Sequence, residues 1–274
     1  MTPAGDGPQS PAQPGALVDR RGNVMVITIN RPEARNAING AVSIAVGDAL
    51  REAQHDPQVR AVVITGAGDK SFCAGADLKA IARRENLYHP DHPEYGFAGY
   101  VHHFIDKPTI AAVNGTALGG GTELALASDL VVAADSARFG LPEVKRGLIA
   151  AAGGVFRIME HLPRKVAMEL LLTGEPMTAA DALKWGLINR VVTGSDGPVL
   201  DAALALAARV TGNAPLSVQA SKRIAYGVDD GVISSDEAGW DRTAREMKVL
   251  IRSEDAREGP LAFAQKREPV WQAR

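Results

Sequence analysis

The sequence predicts an α/β fold, because short patterns of buried strands alternate with helical segments along the first part of the chain. Three apolar runs carry this prediction, at residues 61–64, 108–113 and 130–134. Each run is short and nearly continuous in apolar residues, which is typical of a strand buried on both faces of a sheet. A glycine run at 119–121 opens a helical segment between the second and third strands.

The predicted order begins near Ala16 with a β-hairpin, whose strands at 17–20 and 24–29 flank a turn. Asn39 is positioned as the N-cap of the helix that follows. The stretch before the hairpin is rich in proline, glycine, alanine and glutamine and lacks the apolar and basic regions of a secretory signal. We interpret residues 1–15 as a disordered tail.

The pattern becomes helical from Lys165 onwards. Successive helices are predicted at 165–172, 179–185, 200–210, 215–226, 235–251 and 253–266, with one more strand at 187–192. The chain is therefore expected to divide into a tail (1–15), an α/β core (16–205) and a helical C-terminal region (206–274).

The composition is that of an ordinary globular protein, with 46% hydrophobic and 23% charged residues and a formal net charge of -2. This near-neutral balance gives no support to nucleic-acid binding. No apolar run reaches the ~18 residues of a membrane-spanning helix. The single cysteine, Cys73, excludes an intrachain disulfide and suits a reducing compartment. We expect a cytoplasmic protein that binds neither nucleic acid nor membrane.

Two glutamates, Glu123 and Glu143, are the strongest candidates for chemistry, and each follows a turn that contains glycine. The glycine run 119–121 lets the backbone approach a ligand and leaves free N–H groups at a helix N-terminus. A further turn lies upstream at 74–76. Two sites for N–H donors around an oxygen, with two carboxyl groups, suit the polarisation of a thioester carbonyl and the addition or removal of water beside it.

Each of these features also has a structural interpretation. A triple glycine fits a plain tight turn, and a glutamate in the first turn of a helix often only complements the helix dipole. Glu143 follows a proline, where a solvated loop carboxylate is the simplest interpretation. The four histidines between 89 and 103 have no convincing metal spacing, and we expect no metal site.

Seven short motifs follow one another in a fixed order along the chain: Asn30-Arg31-Pro32 with Ala34-Arg35-Asn36-Ala37, Phe72-Cys73-Ala74-Gly75-Ala76-Asp77-Leu78, Pro108-Thr109-Ile110-Ala111-Ala112-Val113-Asn114-Gly115, Gly119-Gly120-Gly121-Thr122-Glu123-Leu124, Phe139-Gly140-Leu141-Pro142-Glu143, Gly153-Gly154, and Glu258-Gly259-Pro260-Leu261-Ala262-Phe263-Ala264-Gln265-Lys266-Arg267. In this order they resemble the crotonase, or enoyl-CoA hydratase/isomerase, superfamily. The resemblance extends from Leu17 to the C-terminus.

The resemblance implies a crotonase-like spiral of ββα turns, followed by a C-terminal helical region that forms homotrimers or homohexamers of paired trimers. It implies acyl-CoA thioester substrates and two catalytic residues, Glu123 and Glu143. It also implies an oxyanion hole formed by the backbone N–H groups of Ala76 and Gly120. No metal or redox cofactor is needed for such a reaction, and coenzyme A arrives as part of the substrate.

The resemblance further implies contacts with coenzyme A at Ala34, Arg35, Ala74, Lys79, Phe263 and Lys266. Lys79 matches a position near the phosphates, whereas Phe263 and Lys266 match positions that reach the coenzyme A of the same or a neighbouring site. An ordinary exposed helix face is the alternative interpretation of these three residues.

The implied reaction is the reversible syn hydration of a trans-2-enoyl-CoA to a 3-hydroxyacyl-CoA, in fatty-acid or related acyl-CoA metabolism. Both glutamates favour a hydratase over an isomerase, because isomerases of the superfamily often keep only the second. Beyond Glu143, residues 146–154 depart from typical short-chain hydratases, with Ala150 in place of a proline. Residues 144–147 and 262–274 look more like members close to carnitinyl-CoA dehydratase and bulky-substrate actinobacterial hydratases. An isomerase, a carnitinyl-CoA dehydratase-like enzyme and a non-catalytic acyl-CoA-binding protein therefore stay open, and residues 86–100 are expected to shape the acyl pocket.

Overall fold

The computed structural model describes residues 14–194 and 197–274. Within these residues the strands are β1 (Ala16–Arg21), β2 (Val24–Ile29), β3 (Ala61–Gly66), β4 (Ser71–Cys73), β5 (Thr109–Val113), β6 (Thr116–Leu118), β7 (Leu130–Ala134), β8 (Arg138–Gly140), β9 (Met177–Thr178), β10 (Arg190–Val192), β11 (Val228–Asp229) and β12 (Val232–Ile233). The helices are α1 (Gly40–His55), α2 (Leu78–Ala82), α3 (Gly120–Ala127), α4 (Gly154–His161), α5 (Arg164–Thr173), α6 (Ala179–Lys184), α7 (Val199–Thr211), α8 (Pro215–Tyr226), α9 (Ser234–Leu250) and α10 (Glu254–Ala264).

The larger sheet has the strand order β1-β2-β3-β5-β7-β10, in which only the β1–β2 pair is antiparallel. Its central strands are buried on both faces, as the apolar runs predicted. In β3, Val62 and Ile64 point into the main core, whereas Ala61 and Val63 pack on the other face with residues of α7. This alternation follows from the period of two in a strand and explains why the runs are continuously apolar.

The smaller sheet has the order β4-β6-β8-β9, and β4, β6 and β8 are parallel to one another. Each strand of the larger sheet from β3 to β7 is followed by one of these short strands, and α2 follows β4 as α3 follows β6. The chain therefore winds as a spiral of ββα turns. Because the carboxyl ends of parallel strands lie at one edge of their sheet, the turns after β4, β6 and β8 meet at that edge.

Most of the long elements expected from the sequence are present. The hairpin forms, and Asn39 caps α1 by accepting a hydrogen bond from the backbone N–H of Val42 at 3.1 Å. The strand expected at 187–192 begins only at Arg190. The short strands β4, β6, β8 and β9 and helix α4 were not expected, because three residues carry too little periodicity to identify a strand.

The predicted tail, 1–15, lies outside the described residues except for its last two. The predicted boundary between residues 205 and 206 falls inside α7, which packs on the larger sheet, and the division into core and C-terminal region stays a prediction. Of the helices that the structure describes, none combines the length and apolar character needed to cross a membrane.

Helix α9 is fastened to α4 by a buried ion pair and by a close glycine contact. Nη2 of Arg157 lies 2.6 Å from Oδ2 of Asp236, and each side chain is 8% exposed. A Cβ atom built on Gly239 would lie 2.6 Å from the ring of Phe156, so the two helices approach closely there. Loss of either partner would leave an uncompensated buried charge. The ion pair therefore links α9 firmly to α4, the helix that begins beside Glu123.

Candidate active site

The turns after β4 and β6 are in direct contact. A Cβ atom built on Gly75 would lie 3.2 Å from the backbone nitrogen of Gly120, and Gly75 has a φ of +89° that favours glycine. Gly119, which precedes α3, has a φ of +55°. These glycines let two backbone segments approach each other without side chains between them.

The N–H groups of Ala76 and Gly120, the predicted oxyanion donors, lie in these two turns. Neither has an acceptor among the hydrogen bonds of the described residues. Gly120 is the first residue of α3, where the N–H groups have no partner within the helix and the helix dipole favours negative charge. The geometry therefore leaves two adjacent donors free for an oxygen that gains negative charge.

Glu123 lies in the first turn of α3 and is 3% exposed. Its Oε1 accepts hydrogen bonds from the backbone N–H groups of Ala152 at 2.7 Å and Gly154 at 2.9 Å. A Cβ atom built on Gly154 would lie 2.8 Å from the same oxygen, so only glycine fits beside it. The start of α4 therefore holds one oxygen of Glu123 and leaves the other available.

Glu143 lies in the short 3-10 helix after β8, Pro142–Arg146. Its Oε2 is buried and has no hydrogen-bond partner. A Cβ atom built on Gly119 would lie 2.7 Å from Oε1 of Glu143, which places this carboxyl group against the turn that carries Gly120. Buried polar atoms are normally satisfied, so the free oxygen marks a position where a substrate or a water molecule can bind.

Burial raises the pKa values of both carboxyl groups. The pKa of Glu123 rises to about 8, because the group is desolvated and because Glu143 lies nearby, whereas the pKa of Glu143 rises to about 7 through desolvation. The two groups therefore share protons near neutral pH, as an acid and base pair requires. These values alone would place the proton on Glu123, but the two N–H donors on Glu123 favour its ionised form. Oε2 of Glu143 is buried without a hydrogen-bond partner, so we assign the proton to Glu143 on the basis of the contacts.

The raised pKa of Glu143 predicts that the stability conferred by this group decreases as the pH rises. Its folded-state pKa of about 7 lies above the unfolded value of 4.5, so the contribution is complete below about pH 4.5 and is lost as the pH rises through about 7. Glutamine cannot ionise, so the Tm of Glu143→Gln minus that of the wild type should grow over this interval. Thermal melts across the pH series test this, with the exposed Glu169→Gln as the control. A difference that does not change with pH would contradict the prediction.

Three of the six predicted coenzyme A residues lie beside the same turns. Arg35 accepts a hydrogen bond from the N–H of Ala74 at 3.1 Å through its backbone oxygen, so Ala34, Arg35 and Ala74 adjoin the turn that contains Ala76. Lys79 is exposed on α2, whose N-terminus is capped by Asp77. Asp77 also pairs with Arg31 at 2.9 Å, so its carboxyl group is held within the turn.

Helix α10 brings Phe263 close to the Glu143 segment. The guanidinium of Arg146 lies 4.2 Å from the centre of the Phe263 ring, and a Cβ atom built on Gly259 would lie 2.0 Å from the backbone oxygen of Arg146. Phe263 is 48% exposed, and Lys266 is exposed just beyond the end of α10. Both side chains therefore stay accessible to a ligand.

Sequence reasoning identified the glycine pair 153–154 as a motif but not its part in holding Glu123. It also missed Phe97, the ring of which packs on Gly120. Both contacts join segments distant in sequence, and no local sequence pattern predicts them. Cys73 is buried, and burial raises the pKa of its thiol to about 12.

A cavity of about 1040 Å³ lies between the core and helices α8 and α9. Arg157, Tyr226 and Trp240 are among its lining residues, but neither Glu123 nor Glu143 lines it. It is therefore separate from the glutamate pair. Within residues 14–194 and 197–274, no cluster of three or more histidine, cysteine or acidic residues is arranged to hold a metal ion.

The fold agrees with the comparison to known proteins. The model of the family described as "Enoyl-CoA hydratase/isomerase" matches residues 19–274, and the chain belongs to this family. It therefore has the crotonase fold, and acyl-CoA chemistry of the lyase type is typical of its relatives.

Similar proteins carry more specific names. The chain is 45% identical over 258 residues to the carnitinyl-CoA dehydratase of Escherichia coli K12, covering 93% of this chain and 97% of the relative. It is 76% identical to a solved carnitinyl-CoA hydratase from Mycobacterium avium, with a TM-score of 0.94 and coverage of 96% and 100%. A solved carnitinyl-CoA dehydratase from Mycobacterium avium 104 is 82% identical, with a TM-score of 0.91 and coverage of 95% and 100%.

Proposed function

We propose that this protein catalyses the reversible hydration of the 2,3 double bond of an enoyl-CoA thioester. The observation that carries the proposal is the juxtaposition of buried Glu123 and half-buried Glu143 with two free backbone N–H donors. Acyl transfer and simple binding need one or the other of these features, whereas hydration beside a thioester uses both.

The proposed mechanism assigns one role to each group. The N–H groups of Ala76 and Gly120 bind the thioester oxygen and stabilise the enolate that forms. Ionised Glu123 accepts a proton from a water molecule while the hydroxyl group bonds to C3. Protonated Glu143 holds the same water and delivers its own proton to C2. Return of one proton from Glu123 to Glu143 restores the resting pair, and the reverse sequence dehydrates a 3-hydroxyacyl-CoA.

The proposal includes the context that the resemblance implied. Coenzyme A contacts Ala34, Arg35, Ala74, Lys79, Phe263 and Lys266, no other cofactor takes part, and the protein acts in the cytoplasm. Assembly as a homotrimer or homohexamer is supported by apolar side chains left exposed on the C-terminal helices, of which Leu216, Ile224 and Val249 are 77%, 80% and 72% exposed.

A second candidate is the dehydration of carnitinyl-CoA, and it uses the same site and mechanism. It is favoured by the names of the similar proteins from Escherichia coli and Mycobacterium avium, and by the departure of residues 146–154 from short-chain hydratases. The two candidates differ only in the group carried beyond C3, a quaternary ammonium in one case and an alkyl chain in the other.

Loss of the absorbance of the conjugated enoyl-thioester tests both candidates. The panel runs from crotonyl-CoA through long-chain, branched and sterol side-chain enoyl-CoAs to crotonobetainyl-CoA. We expect the wild-type protein to turn over at least one class, and the preferred class names the substrate. Acyl-CoA binding without turnover of any member would contradict the hydratase proposal, and migration of the double bond without water uptake would identify an isomerase.

A further inference from the structure

Phe97 packs directly on the backbone of Gly120. A Cβ atom built on Gly120 would lie 2.3 Å from Cε1 and 2.6 Å from Cζ of the Phe97 ring. The same Cβ atom would lie 3.2 Å from Cα of Gly75. The tip of the ring therefore lies against the turn that carries the free N–H of Gly120.

The surrounding segment holds this ring in place. Phe97 is 8% exposed, and its backbone oxygen accepts hydrogen bonds from Tyr100 at 3.1 Å and Val101 at 3.2 Å. A Cβ atom built on Gly99 would lie 2.3 Å from the backbone oxygen of Ser43, so the segment around Phe97 packs closely against α1. Such a ring cannot turn aside without moving the backbone.

The backbone around Phe97 is also unusual. Gly96, Ala98 and Gly99 have φ values of 72°, 61° and 64°, and positive φ is costly for alanine. A strained conformation of this kind persists where the surrounding structure determines it, and such residues cluster at functional sites. The strained backbone of this segment therefore places the Phe97 ring against the turn at Gly120.

We propose that Phe97 is a specificity-determining residue that excludes acyl groups branched at C2. This inference rests on the proposed function, because it needs the thioester oxygen to bind between Ala76 and Gly120. C1 is bonded to that oxygen, and C2 is the next carbon of the acyl group. A substituent on C2 is therefore the first part of the acyl group to meet a wall beside the oxygen, whereas a linear chain leaves through C3.

The test compares crotonyl-CoA with its 2-methyl derivative in the wild type and in Phe97→Leu. Leucine removes the tip of the ring but keeps an apolar side chain. A methyl group that meets a wall changes kcat/KM by about 10–200-fold, so the branched-to-linear ratio should rise at least ~10-fold in the variant. Trp185→Leu, an aromatic residue just after α6 that is 36% exposed, should leave the ratio unchanged.

Equilibrium binding separates this inference from the proposed function. The saturated analogues butyryl-CoA and 2-methylbutyryl-CoA do not undergo hydration. The ratio of their Kd values therefore measures how strongly Phe97 disfavours the C2 branch, even if the protein hydrates no substrate. A ratio that moves in Phe97→Leu supports the inference with or without turnover. A wild-type protein that already accepts both chains equally, or a variant in which both chains are affected alike, would overturn it. Phe97→Met provides a second folded variant if the leucine variant is unstable.

Discussion

Replacement of Glu143 by glutamine is expected to lower kcat for hydration by about 10²–10⁴-fold, the usual contribution of a positioned general acid or base. Glutamine keeps the size of the side chain but cannot deliver a proton to C2. Glu123→Gln should have an effect of similar size, because an amide oxygen cannot take the proton of the attacking water. Both changes act on the transition state, so kcat and kcat/KM should fall together.

Three measurements make this prediction specific. The Kd for a saturated acyl-CoA should stay close to that of the wild type, since neither carboxyl group is needed to bind coenzyme A. Glu169→Gln, an exposed glutamate on α5, should keep full activity. A variant that loses only one glutamate and keeps wild-type hydration would refute the assigned pair, and double-bond migration that survives Glu123→Ala would favour the isomerase.

The convergence of these residues illustrates how far the sequence could predict the site. The glycine turns 74–76 and 119–121 and the segment that carries Glu143 are each visible locally, because positive φ and free N–H groups require glycine. What brings them together is the parallel arrangement of β4, β6 and β8, and those strands are three residues long. Their pairing depends on the larger sheet beside them, which no short window of sequence contains.

Other features of the site depend wholly on contacts between distant segments. Glu123 is anchored by N–H groups about thirty residues further along the chain, at Ala152 and Gly154. The Phe97 ring reaches Gly120 from the segment 86–100, which the sequence analysis linked to the acyl pocket without singling out Phe97. The Arg157–Asp236 pair joins helices 79 positions apart, and each of these side chains on its own resembles an ordinary surface charge. Packing decides these contacts, and local propensity carries no information about them.

Gly120→Ala is expected to reduce kcat/KM by about 10²–10³-fold, which is the typical loss when one oxyanion-hole donor is removed. The backbone N–H cannot be deleted, but the added methyl group can displace it. The new Cβ atom would lie 2.3 Å from the Phe97 ring, and real Cβ atoms do not approach that closely. Either the ring or the turn must therefore move, and the turn carries the donor.

A second substitution, at Phe97, tests whether this clash causes the loss of activity. In the double variant Gly120→Ala with Phe97→Leu, the shortened side chain makes room for the methyl group, so part of the lost activity on crotonyl-CoA should return. Gly194→Ala is the matched single change, because a Cβ atom there would meet none of the described residues within 4 Å, and it should leave the rate unaltered. A Gly120→Ala enzyme with wild-type kcat/KM would show that Gly120 donates no bond to the reacting oxygen. A double variant no more active than Gly120→Ala alone would place the damage in the Gly75 turn rather than at the ring.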